Sequence, residues 1–271
     1  MKKKVTAIAL CAALLAVAIV GLSLAYFTDT DTATNTFTVG KVDIELIEQQ
    51  RNEGGTAIVD YVPGKVLMPI AGSAQGEKDG WGMPVADIYG DKIISVKNLE
   101  SDAYVRVYVA VPEALVDSNA SRAPLHANFA NRVDLTGAGR WNTPGGQSTW
   151  NPDFLNWDWD APIAPGFTTT IGGISYSVGV YTYKEVLTAG ELTGAPILAG
   201  FYLDKRVDYD AETGKYFIKY AEDDIKFLDF DFSQPITIPV FAVGVQADGF
   251  DNAEDAFAAA LPASYNPWAT P

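Results

Sequence analysis

Residues 103–111 read Ala-Tyr-Val-Arg-Val-Tyr-Val-Ala-Val and decide the class of the fold. Tyr104, Arg106 and Tyr108 occupy the even positions, and valines fill the odd positions between and after them. β-Branched and aromatic residues that alternate with a period of two predict a half-buried strand. Further strand-like runs lie at residues 42–46, 58–62, 92–97, 168–171, 174–183, 201–208, 215–220 and 236–246.

Turn signals separate these runs, and helical patterns are scarce. Residues 211–214 read Ala-Glu-Thr-Gly between two runs and predict a hairpin. The clearest helical pattern spans residues 251–261, with acidic residues near its start and a proline after its end. Residues 116–129 and 184–187 are weaker candidates for short helices. The chain is therefore predicted to be mainly β, an antiparallel jelly-roll-like β-sandwich with a few short helices.

Composition narrows the classes of function. With 48 % hydrophobic residues among 271, the chain can build a sizeable core and is not a disordered protein. A single His and a single Cys exclude a zinc site of several such ligands and a disulfide within the chain. A net charge of −15 argues against nucleic acid as a partner. We expect no cofactor.

The first 25 residues have the features of an export signal. Lysines at positions 2–4 precede an uncharged, largely apolar run over residues 5–25. Ser23 and Ala25 supply the small residues of a signal-peptidase site, which predicts that the mature chain begins at Tyr26. An uncleaved signal anchor is the alternative, because a run of this length can span a bilayer. In both cases the rest of the chain faces out of the cytoplasm.

Threonine occupies every even position from Thr28 to Thr38. A period of two places these threonines on one side of an extended strand, but Asp and Asn at several odd positions disfavour a strand. The segment is thus either a strand that needs a partner or a flexible leader. No two-residue hairpin turn joins it to the run at 42–46, so pairing back onto its own sheet is not encoded locally.

Residues 24–46 carry a resemblance to a known family. They read Leu-Ala-Tyr-Phe-Thr-Asp-Thr-Asp-Thr-Ala-Thr-Asn-Thr-Phe-Thr-Val-Gly-Lys-Val-Asp-Ile-Glu-Leu. A hydrophobic signal, then Ala-Tyr-Phe-Thr-Asp, then Asn-x-Phe-x-x-Gly-x-Val-Asp-Ile is specific in combination, and it resembles the N-terminus of the TasA/camelysin family. Residues 96–107 and 240–250 are similar to two further segments of that family, whereas the usual Pro-Gly turn before the first of them is absent here.

The resemblance implies a secreted jelly-roll subunit of matrix fibres or pili. In such fibres the N-terminal segment of one subunit completes the sheet of the next, and a SipW-type signal peptidase processes the signal peptide. The expected partners are other copies of the chain in a filament and an accessory or anchoring subunit. The expected location is extracellular, at the cell surface or in a biofilm matrix.

These observations predict the organisation of the chain. The signal peptide spans residues 1–25, and the donor-strand segment spans 26–38. The β-sandwich domain spans 39–271 and contains a Trp-rich insertion at about 112–165.

Three residues of the donor-strand segment are expected to face the core of the accepting subunit: Phe27, Ala33 and Phe37. Asp29 and Asp31 are expected to lie towards the rim of the accepting subunit. Because both aspartates share the parity of the phenylalanines, a bulge or a partial insertion is needed.

A carbohydrate-binding module is the alternative function. Trp150, Trp157 and Trp159 lie beside aspartates, and aromatic rings with nearby carboxylates are common in sugar sites. The simpler interpretation is that these tryptophans pack the insertion onto the sandwich.

A secreted metallopeptidase is the weaker alternative function. It follows from the resemblance, because camelysin has been labelled a metallopeptidase. His126 is alone and lacks His-Glu-x-x-His spacing, so we expect it on the surface or in a loop. Asp29 with Asp31, Asp223 with Asp224 and Asp229 with Asp231 offer oxygen atoms but no complete calcium-loop pattern. We therefore expect no catalytic residue, no metal ligand and no enzyme activity.

Overall fold

A computed structural model describes most of the chain from residue 28 onward and confirms the predicted fold class. Over the described residues the fold is mainly β with a single α-helix. The described residues are 28–32, 35–37, 42–52, 57–62, 69–70, 90–117, 122–128, 160–161, 166–193, 196–232 and 235–269.

Sheet A contains six strands and is antiparallel throughout. Its spatial order is β10 (Phe167–Ile171), β11 (Ile174–Thr182), β7 (Ala103–Pro112), β16 (Val240–Gln246), β1 (Thr28–Thr32) and β2 (Asn35–Phe37). The sequence run 103–111 thus forms most of β7, near the middle of the sheet.

Sheet B lies across the core from sheet A. Its main path runs β4 (Ile58–Asp60), β3 (Ile44–Arg51), β6 (Gly90–Asn98), β12 (Leu198–Asp204), β8 (Leu125–Asn128) and β9 (Asp160–Ala161). A short strand, β5 (Pro69–Ile70), pairs with β12 in parallel. β8 and β9 lie within the stretch predicted to be an insertion, and both belong to this sheet.

The two sheets enclose one hydrophobic core. Val105, Val107 and Val109 of β7 are fully buried and share a cluster with Ile94 and Val96 of β6. Residues of β12 and β16 complete the same cluster. The period of two therefore directs the valines inward, as the alternation predicted.

The outer face of sheet A is also buried, which the alternation did not predict. Tyr104 and Tyr108 of β7 belong to a second cluster with residues of α1 (Ala253–Ala260). Asn252 caps this helix, because its side chain accepts a hydrogen bond from the backbone N–H of Asp255. The Arg106 guanidinium lies 4.1 Å from the centroid of the Phe257 ring. This cation–π contact stabilises the positive charge of Arg106 beneath α1.

A third, smaller sheet packs against the sandwich. Sheet C has the order β13 (Val207–Asp210), β14 (Lys215–Ala221) and β15 (Asp224–Phe227). The predicted hairpin at 211–214 is confirmed between β13 and β14. Gly214 in its turn has a φ of +69°, a conformation that favours glycine.

A buried ion pair joins β3 to β6. The Arg51 guanidinium donates to both carboxylate oxygens of Asp91, at 2.8 and 2.6 Å, and the Arg51 backbone N–H also donates to Asp91. The two side chains are only 0 and 4 % exposed. A buried ion pair is stable only when its hydrogen bonds are complete. Here Arg51 donates three hydrogen bonds to the Asp91 carboxylate.

Four sequence predictions differ from the structure. The run 201–208 is two strands, because residues 205–206 form a turn between β12 and β13. Residues 116–129 contain β8 and no α-helix where the structure describes them, and 184–187 ends in a bridge between Leu187 and Ala103. Residues 236–239 precede β16 without joining it. At 116–129 and 184–187, pairing with distant strands overrides a short local pattern.

Candidate functional site

The strand β16 is the centre of the candidate site. One of its edges pairs with β7 at seven positions, from Val240 opposite Val109 to Gln246 opposite Ala103. Its other edge pairs with β1 at five positions. Six of its seven residues are buried, so the edge that β1 occupies lies between two covered faces.

Gly244 sets the distance between β16 and sheet B. A methyl group added at Gly244 would lie 2.8 Å from Cγ2 of Ile44 and 2.9 Å from Cγ1 of Val42. Real side chains essentially never approach so closely, so only glycine lets the backbone of β16 lie against these two residues. Both residues are fully buried, and both belong to residues 24–46, the segment that resembles the TasA/camelysin family.

Aromatic side chains and α1 cover the opposite face of β16. Phe241 contacts the Trp268 ring edge-on, with centroids 6.2 Å apart. Val243 and Val245 belong to the same cluster as Ala256 and Phe257 of the helix. The edge of β16 is thus a slot with an apolar wall on each side.

The threonine-rich segment fills this slot in its own chain. Thr28, Thr30 and Thr32 lie opposite Val245, Val243 and Phe241, whereas Asp29 and Asp31 lie opposite Gly244 and Ala242. β2 pairs with the other side of β1 and forms the edge of sheet A. Of the two interpretations left open, strand and flexible leader, the structure shows the strand.

The predicted donor-strand side chains are not tested by the structure. Phe27 and Ala33 lie outside the described residues, and Phe37 is the last residue of β2. The predicted cleavage residues Ser23, Ala25 and Tyr26 also lie outside them. No helix among the residues that the structure describes is long and apolar enough to cross a membrane.

The prediction for His126 was wrong. His126 lies in β8, is 7 % exposed, and its Nε2 atom lies 3.0 Å from Oδ2 of Asp204. Asp204 also accepts hydrogen bonds from the backbone N–H and the guanidinium of Arg206, at 2.6 to 2.8 Å. Burial alone would raise the pKa of Asp204, but the bonds from Arg206 and His126 outweigh it and hold that pKa well below its usual range.

Two arginines and one tyrosine extend this cluster to sheet C. The guanidiniums of Arg122 and Arg206 lie 3.8 and 5.3 Å from the centroid of the Tyr220 ring. The Tyr220 hydroxyl donates to the carbonyl oxygen of Arg122 at 2.6 Å, and Arg122 binds Asp224 through two hydrogen bonds. These contacts tie β14 and β15 to the residues just before β8 and just after β12, which is a structural role.

The other predicted sites remain without structural support. Trp150, Trp157 and Trp159 lie outside the described residues. Within the described ranges no group of three or more His, Cys, Asp or Glu side chains could hold a metal ion. Asp224, one of the acidic candidates, is already paired with Arg122.

Comparison with known protein families gives a match at the N-terminal part of the chain. The family described as camelysin metallo-endopeptidase matches the chain over residues 1–60. This confirms the resemblance for the N-terminal part of the chain, which contains β1, β2, β3 and β4. A search of curated proteins and a search of solved structures each gave no match.

Sequence reasoning missed the residues that shape the slot. Gly244 lies in a Val-Gly-Val sequence within a predicted strand. No neighbouring residue in the sequence indicates that Val42 and Ile44 pack against it. A glycine inside a strand run does signal a close backbone approach, and this signal was available.

We predict that Gly244→Ala lowers the free energy of unfolding by about 2 kcal/mol, because the new methyl overpacks against Ile44 and Val42. In the double variant Gly244→Ala with Val42→Ala, one of the two crowding methyl groups is removed. Denaturant unfolding should then show a loss smaller than the sum of the two single variants. Simple additivity would contradict the close approach.

We predict that Asp204→Asn lowers the free energy of unfolding by about 2 kcal/mol near pH 6, because it weakens charge-assisted bonds in a buried site. A carboxylate with a depressed folded pKa stabilises the fold above its unfolded pKa of about 4, and this contribution is lost as pH falls through the folded pKa.

The difference between the native chain and Asp204→Asn should therefore shrink progressively below about pH 4. Asp223→Asn, at an exposed turn, is the matched control and should show a much smaller difference. Unfolding curves from pH 3 to pH 7 measure both variants. If the difference in free energy of unfolding between the native chain and Asp204→Asn stayed constant with pH, a stabilising contribution from the ionised Asp204 carboxylate would be excluded.

Proposed function

We propose that the chain is a non-catalytic structural subunit of an extracellular fibre or pilus. In the assembled state, the segment 26–38 of one subunit pairs with β16 of the next. The observation that carries this proposal is the slot beside β16, which a short N-terminal strand fills. The family match over residues 1–60 supports it, because the match includes that strand.

Strand exchange between copies replaces one set of backbone hydrogen bonds with an equivalent set. A donated segment would form with β16 the same backbone hydrogen bonds that β1 forms within its own chain. In sheet A, β1 pairs with β16 on one side and with the three-residue strand β2 on the other. Little other pairing within sheet A must therefore break before the segment can leave.

One-way donation of the segment, from each subunit to the next, builds a filament rather than a closed pair. The donor is the N-terminal segment and the acceptor is the edge of β16, so the two contacting surfaces differ. A contact between different surfaces is head-to-tail and, when the rotation does not close, adds subunits without limit. The partners are then other copies of the chain, with an accessory or anchoring subunit at one end.

Export precedes assembly in this proposal. The leader over residues 1–25 is removed by a SipW-type signal peptidase after Ala25, which frees the segment that begins at Tyr26. The mature subunit is then located at the cell surface or in a biofilm matrix.

Deletion of residues 26–37 from the mature chain tests the proposal. We predict a soluble protein with β-type circular dichroism that does not polymerise into filaments, because the donor strand is gone and the slot is empty. Negative-stain images and sedimentation velocity measure assembly.

A synthetic peptide of residues 26–37 provides the matched test. It should bind the truncated chain, whereas a peptide of scrambled sequence should not, because binding depends on the register with β16. Filaments formed by the truncated chain would refute the donor-strand proposal.

A metallopeptidase is the second candidate, and the description of the matched family favours it. We predict that pure mature protein does not cleave casein, with or without a chelator. Cleavage that the chelator abolishes and that His126→Ala also abolishes would overturn this, provided that the variant keeps the circular dichroism of the native chain.

A further inference from the structure

The outer face of sheet C presents apolar side chains to solvent. Phe217 of β14 lies opposite Phe227 of β15, and the two rings meet edge-on with centroids 6.2 Å apart. In the next row of the same face, Ile225 lies opposite Lys219. Phe227 is 51 % exposed and Ile225 is 46 % exposed.

The opposite face of sheet C already has its partner. Val207 and Ile218 are buried in the main core, and Tyr216 and Tyr220 pack against it. The alternation along β14 therefore leaves Phe217 and Lys219 on the outer side. We call the part of this outer side formed by Asp208, Phe217, Lys219, Ile225 and Phe227 the sheet C patch; the pair Asp210 and Lys215, also opposite in charge, continues the same face towards the hairpin turn.

The charges of the sheet C patch are opposite in sign and lie on different strands. Asp208 belongs to β13 and lies opposite Phe217, whereas Lys219 belongs to β14 two residues beyond Phe217. Both charged residues are exposed. An apolar centre with one acid and one base at its margin is complementary to a rotated copy of itself, because each copy presents its Asp208 to the Lys219 of the other.

We propose that the sheet C patch is a contact surface between two copies of this chain, related by a two-fold axis. The apolar residues Phe217, Ile225 and Phe227 form the centre of the contact, and two pairs of Asp208 with Lys219 flank it. Covering this exposed apolar cluster is favourable, and a second copy supplies both the apolar cover and the opposite charges.

This contact does not depend on strand exchange. Sheet C shares no strand with sheet A, so the patch is available whether or not β1 leaves β16. In a filament the contact would join neighbouring filaments side by side. Without filaments it would join two subunits.

Disulfide cross-linking of the mature chain tests the proposal. The one cysteine of the sequence, Cys11, lies in the leader, so single variants Asp208→Cys and Lys219→Cys each carry one thiol once the leader is removed. The two variants, one with a size tag, are mixed in about 0.15 M salt, where screening limits repulsion between acidic chains. Mild oxidation and a non-reducing gel then report mixed dimers.

We expect at least fivefold more mixed dimer from this pair than from Asp208→Cys mixed with Ile174→Cys. Ile174 is the matched control, because it is 47 % exposed but lies on β11 in sheet A. Adding Phe227→Ser and Ile225→Thr to both partners should abolish the excess, whereas adding Val186→Ser, at another exposed apolar residue, should not.

A yield no higher than that of the control pair would overturn the proposal, as would an excess that survives the loss of Phe227 and Ile225. The readout is independent of the donor strand, because the gel detects covalent pairs whether or not the sample contains filaments. Failure here would therefore leave the fibre proposal in place, and failure of the fibre proposal would leave this contact testable.

Discussion

The pairing of β16 on both edges is the constraint on which the rest of the structure depends. Both faces of this strand are covered, one by sheet B and the other by α1 with its following aromatic residues. Backbone N–H and C=O groups enclosed in this way need hydrogen-bond partners, because leaving them unpaired costs free energy comparable to a lost hydrogen bond. β7 satisfies one edge, and the N-terminal strand satisfies the other.

This constraint connects distant parts of the sequence. Val42 and Ile44 approach the backbone of Gly244, while Thr28–Thr32 pair alongside it. The N-terminal segment therefore meets β16 twice, once as a strand beside it and once as the layer beneath it. The match with the camelysin metallo-endopeptidase family covers both of these N-terminal elements.

Local periodicity predicted the β class, the hairpin at 211–214 and the helix near 251–261, because each depends on neighbours in sequence. It failed where the deciding contact is remote. The partner of His126 is Asp204, 78 residues away, and a Leu-His-Ala-Asn run gives no sign of it. The second buried face of β7 depends on a helix about 150 residues later. The strand nature of residues 28–32 was undecided for the same reason, since their partner is β16.

The antiparallel register between β1 and β16 has a mechanical consequence. If neighbouring subunits are joined by this pairing, a force that pulls the donor segment along its own axis loads all five paired positions together. Such a joint yields in shear, where the hydrogen bonds must fail at once, whereas a force applied at right angles would open them one at a time. A fibre built on this strand would resist stretching far better than peeling.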